Sequence, residues 1–145
     1  AEQFSEQNGF SLVAIPVEKP KELPYALERL TNNIDVLLAI PDEIVMSVNT
    51  AKEVLLASFR NKVPLVGLSD NWVKSGAIYA LSWDYEDLGR QSALMAQKLL
   101  AGAKITTVPP ETPRQITYTV NMKIADHMNM EIPADLIKQA KIIFD

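Results

Sequence analysis

The chain has 145 residues, 48% of them hydrophobic, with a formal net charge of −4, the size and balance of roughly one globular domain with a sizeable core. Its 14 basic residues are scattered and form no stripe, which argues against a nucleic-acid binder. Zero cysteines exclude disulfides, thiolate metal sites and cysteine nucleophiles, and the single histidine excludes a histidine-based metal centre within one chain.

In chain order, Asn8-Gly9 predicts the closure of a polar helical end, and residues 10–17 (FSLVAIPV) predict a buried strand. Residues 20–30 predict a short helix, with Pro24 in its first turn and Leu23, Leu27 and Leu30 on one face. Residues 34–40 (IDVLLAI) are a near-continuous apolar run, as expected of a parallel strand covered on both faces. This run is also far below the roughly 20 apolar residues needed to span a bilayer. A longer helix is then predicted, with Ile44, Val48, Ala51, Leu55 and Phe59 as its apolar stripe. Residues 63–68 and 77–81 predict two more strands, followed by a helix that ends at Gly102. After a Pro-rich connection, residues 115–120 (QITYTV) predict a fifth strand, half-buried or at an edge. Two short helices, 122–128 and 134–143, complete the pattern.

Alternating strands and helices imply an α/β fold, a parallel sheet with helices on both faces. In such sheets ligands bind beyond the carboxyl ends of the strands. That rule nominates Pro16 and Val17, then Pro41, Asp42 and Glu43, then Ser69, Asp70, Asn71 and Trp72, and last Ser82, Trp83, Asp84 and Tyr85. Asp42 and Glu43 read either as helix caps or as acceptors for a ligand amine or hydroxyl. Ser69 and Asp70 stand before a weak helix and read as a turn or as ligand contacts. Trp72 reads as an apolar wall or as the edge of the core. Asp84, Glu86 and Asp87 suit the positive end of a helix better than a paired-acid site, and Arg90 can pair with Glu86. His127 has no nucleophile partner and no G-x-S-x-G elbow, and reads as a surface or half-buried residue. No G-x-G-x-x-G or G-x-x-x-x-G-K-[ST] occurs. Met122, Met128 and Met130 read as adaptable packing.

Several motifs together carry a resemblance. D-Y-x-x-L-G-R-Q at 84–91, P-E-T-P at 110–113, V-N-x-x-x-A at 120–125 and I-P-x-x-L at 132–136 resemble the C-terminal half of ABC-transporter solute-binding proteins that take tryptophan, tyrosine or related aromatic compounds. The resemblance extends back through IDVLLAIPDEIV and VPLVGLSD to the start of the chain. It implies the C-terminal lobe of a type I periplasmic-binding-protein fold, a non-catalytic role with no cofactor or metal, a small-molecule ligand and a membrane permease as partners, and a periplasmic or extracytoplasmic location. The start of the chain carries no signal peptide. The resemblance further implies that the N-terminal lobe and the first strand of the second are absent. It divides the chain into a lobe core at 1–83, a crossover helix and hinge at 84–114, and a returning strand with helices at 115–145. Carried over by position, the ligand contacts become Pro41, Asp42, Glu43, Ser69 and Asp70, with Trp83 to Tyr85 close to the cleft. The family often has a Thr-Asp-Asn-like turn where this chain has Pro-Asp-Glu. The crossover helix, with Gly89, Ala93 and Ala96, would pack on the absent lobe, and its bare face would favour a homo-oligomer. A ligand-sensing domain is the alternative; a receiver domain would place Ala39 at its phospho-acceptor position, and a hydrolase or transferase using Asp42 and Asp70 would lack a base.

Overall fold

A computed structural model of the chain describes residues 7–145. The helical end expected before Asn8 lies largely outside the described residues, but Gly9 takes the left-handed φ of +73° that such a closure needs. A single 3-10 turn (Pro20–Glu22) leads into the first helix, and Glu22 Oε2 accepts the Glu18 and Lys19 amides before it at 3.0 and 3.2 Å. Helix α1 (Leu23–Thr31) then buries Leu23, Ala26 and Leu27, the face its spacing predicts. Strand β1 is only Leu37–Leu38.

The next helix starts later than its apolar spacing predicts. Asp42 Oδ1 accepts the Ile44 and Val45 amides at 2.8 and 2.6 Å, closing a single turn. Thr50 then folds its hydroxyl back onto the Ile44 and Val45 carbonyls. These local bonds compete with helix through a Ser-, Asn- and Thr-containing stretch, so α2 is Ala51–Asn61 and buries Val54 and Ser58. The predicted stripe is therefore rotated: Val48 is 95% exposed and Phe59 41%. Strand β2 (Leu65–Gly67) leads into the short α3 (Asp70–Ser75), and β3 (Tyr79–Trp83) into the long α4 (Tyr85–Leu100). Strand β4 (Ile116–Asn121), helices α5 (Met122–Met128) and α6 (Ala134–Gln139), and strand β5 (Ile142–Phe144) follow.

The five strands form one mixed α/β sheet in the order β1-β2-β3-β4-β5, parallel at every pair except β3 with β4. Two expectations are corrected here. Strand β4 is antiparallel to β3 and internal: Ile142 and Ile143, which the sequence pattern places in a helix, pair beyond it together with Phe144. Residues 10–17 form no strand and do not join the sheet, and Phe10 and Leu12 are 66% and 50% exposed. A strand is stabilised by a neighbour to pair with. The outer side of β1 is unpaired among the described residues, and Leu38 and Ile40 beside it are also exposed.

The main core joins α1, α2 and α3 to the parallel strands through Leu23, Leu27, Val54, Leu65 and Val73. A smaller cluster of Ile78, Ile124, Ala125 and Met128 lies under α5. Met128 thus packs, Met122 is half-buried and Met130 lies at the surface.

Candidate functional site

Strands β1, β2 and β3 are adjacent and parallel, with Leu38 level with Val66 and Val66 level with Tyr79. The turns that leave them are therefore brought to one edge of the sheet. That edge carries Pro41, Asp42 and Glu43, then Ser69 and Asp70, then Trp83 and Asp84. These turns contain no lysine or arginine, so the edge is acidic with an aromatic border: Trp83 is 42% exposed and Tyr85 69%. Pro16 and Val17, from the unpaired segment, are not placed on this edge by any strand pairing; Val17 packs against the core instead.

The carboxylates differ in what holds them. Asp42 and Asp84 each use Oδ1 on the amides of their own turn; Asp84 accepts from Glu86 and Asp87, both at 3.0 Å. Glu43 is exposed. Asp70 reaches across the sheet instead: the buried Thr119 hydroxyl of β4 donates to its Oδ1 at 2.6 Å, and among the described residues Oδ2 takes no partner. Asp70 is thus anchored by one oxygen and free at the other. Trp72 packs partly buried against the core, over Gly67.

Helix α4 leaves β3 at this edge and the chain returns to β4 beside its own exit. Of the acids at its start, which the sequence reads as favouring the positive end of the helix, Asp87 is 4% exposed and paired with Arg114, a residue the sequence motifs do not single out. The hydrogen bonds and charge of Arg114 hold the Asp87 carboxyl below the usual carboxylate range, against the opposing effect of burial, and Arg90 adds to the lowering. The expected Arg90–Glu86 pair is present, exposed on the helix face. His127 is half-buried and stacks on Phe59 with ring centroids 3.9 Å apart, its Nε2 3.1 Å from the Phe59 carbonyl. It joins α5 to the end of α2, away from the acidic edge.

A groove of about 500 Å³ between α1 and α2 offers a second concavity. It draws Thr31, Asn32, Arg60 and Asn61 from the C-terminal ends of those helices, which feed the amino ends of β1 and β2. Among the described residues no cluster of histidine and acids is arranged to hold a metal ion.

The sequence pattern of the family described as ABC transporter substrate binding protein matches residues 2–143. A tyrosine-binding protein of Clostridioides difficile is 26% identical over 139 residues, which make up 95% of this chain and 40% of that protein. Among solved structures, an ABC domain from Streptococcus pneumonia in complex with L-Trp matches with a TM-score of 0.72 at 22% identity, covering 99% of this chain and 49% of that one. The ligand-free, open structure of a substrate binding protein with adhesive properties from Clostridium difficile matches with a TM-score of 0.79 at 25% identity, covering 99% of this chain and 47% of that one. The chain therefore spans about two-fifths of the tyrosine-binding relative and about half of the solved structures.

Proposed function

The chain belongs to the ABC transporter substrate binding protein family, and from that premise we propose that it forms one wall of a cleft that closes on an aromatic amino acid or a related compound. The observation that carries this reading is the convergence of three polar turns, 41–43, 69–70 and 83–84, on the carboxyl edge of adjacent parallel strands. The free oxygen of Asp70 is suited to accept from a ligand ammonium group, a charge-assisted contact. Asp42 and Glu43 add negative potential, and Trp83 and Tyr85 present aromatic faces to a ring. Trp72 acts from behind, fixing the position of α3. The relatives named for tyrosine and complexed with L-Trp support the ligand class.

In this reading residues 1–83 form the core of one lobe, 84–114 cross toward a second lobe, and 115–145 return. The protein captures its ligand outside the cytoplasm, performs no chemistry on it and presents it to a membrane permease. Closure of two lobes on a ligand requires only hinge motion. The test is thermal stability of the longer protein containing this chain against amino acids and aromatic acids. A ligand at 100 times its Kd adds about 2.7 kcal/mol. The reading predicts a shift with an aromatic amino acid that is lost in Asp70→Ala; a shift that survives Asp70→Ala would move the ligand away from this edge.

A further inference from the structure

Arg114 closes a ring of contacts at the base of the excursion between β3 and β4. Its Nε donates to Asp87 Oδ2 and its Nη2 to Asp87 Oδ1, both at 2.8 Å. The Asp87 amide donates to Asp84 Oδ1 at 3.0 Å. The Asp84 amide donates to the Gln115 carbonyl at 3.2 Å, and Gln115 is bonded to Arg114 through the chain. Side-chain and main-chain contacts thus tie the exit from β3 to the entrance of β4. One turn further along α4, Gln91, itself 5% exposed, donates to Glu111 Oε2 at 2.9 Å and to the Thr112 carbonyl at 3.0 Å.

We propose that Arg114 is a positioning residue: the ring clasps both strand ends, fixes Trp83 and Asp84 at the edge of the site, and makes α4 and residues 111–115 move as one body. The planar guanidinium fork meets both carboxylate oxygens, so it sets direction as well as distance. Burial makes the contact obligatory on one side, since the Asp87 side chain is 6% exposed and the Arg114 side chain 52%. The Arg90–Glu86 pair on the same helix is 64% and 77% exposed and has no such consequence. Without the clasp, the two limbs of the excursion would bend independently. With it, the two limbs move together when the lobes close. That last meaning rests on the cleft reading above; the clasp does not.

The test is amide hydrogen exchange on the ligand-free protein, comparing wild type with Arg114→Gln and Arg114→Lys. Local opening is read as faster exchange at the amides concerned. The clasp predicts that the Asp84 and Asp87 amides exchange about ten-fold faster in Arg114→Gln, while amides of β2 keep their wild-type rates. Arg114→Lys, a point charge without the fork, gives an intermediate rate, and carries the test if Arg114→Gln does not fold. Wild-type exchange at Asp84 and Asp87 in both variants would overturn the proposal, as would a uniform acceleration of every amide. No ligand enters the experiment, so its outcome is read separately from whether the cleft binds.

Discussion

Replacing Gly67 by alanine puts a methyl group where the fold has no room. A Cβ built at Gly67 meets Trp72 Cβ at 2.7 Å and Ala77 Cβ at 3.0 Å. Neither is the far end of a flexible side chain; each is fixed to its own backbone, so α3 or the start of β3 must shift. Gly67 is therefore required by close approach, and it has no left-handed backbone to explain it otherwise. Overpacking of this kind costs about 1–3 kcal/mol. For a chain of this size that lowers Tm by about 3–10 °C. Because α3 carries Asp70, the displacement also strains the 2.6 Å bond to Thr119 and should weaken ligand binding beyond the loss of stability. Circular dichroism melts of wild type and Gly67→Ala measure the first effect directly. An unchanged or raised Tm would refute the packing argument and the account of how α3 is seated.

Gly89→Ala is the opposite case: nothing lies within 4 Å of its Cβ, so relief of the glycine penalty in mid-helix should stabilise this chain by about 0.5–1 kcal/mol. The same substitution in the longer protein should destabilise, if α4 packs on a second lobe there, and paired melts separate the two. Asp87 titrates lower in the folded chain than its ordinary 3.8, so its ion pair contributes stability above that pH and loses it as pH falls through the folded value. Acid unfolding should therefore show the advantage of wild type over Asp87→Asn shrinking below about pH 4; a constant difference down to pH 2 would contradict the pairing. Helix α4 exposes Leu94 and Leu100, 51% and 88%, and Ile105 just beyond it is 78% exposed. Isolated chains should associate at high concentration in sedimentation experiments; strictly monomeric behaviour would count against that.

The order of elements was legible because the hydrophobic period changes from strand-like to helical with each turn signal, and Leu23, Leu27 and Leu65 are buried where that pattern puts them. Boundaries failed where side chains bond their own backbone. Thr50 and Asp42 interrupt a stretch whose apolar spacing alone reads as helix. The segment 10–17 looked like a strand because it has strand composition, but pairing depends on a neighbouring edge and no local pattern reports that. Strand β5 was hidden by its length: Ile142, Ile143 and Phe144 are too few to show a period. At the candidate site, the rule for parallel sheets named turns that the strand pairing brings to one edge, and side-chain direction distinguishes them from one another. Asp87 and Arg114 stand 27 residues apart, so no spacing signals their pairing, and Thr119 looked like an ordinary strand threonine until β4 was laid beside α3.

We propose that this chain binds an aromatic amino acid at the carboxyl edge of β1, β2 and β3. An amide-resolved NMR titration of the 145-residue chain with L-tyrosine and L-tryptophan tests it most directly, since even weak binding by one wall of a cleft moves resonances. Binding at this edge should confine the shifts to the amides of 42–43, 69–70 and 83–85. Shifts centred on the groove between α1 and α2, around Leu27, Leu56 and Arg60, would contradict it.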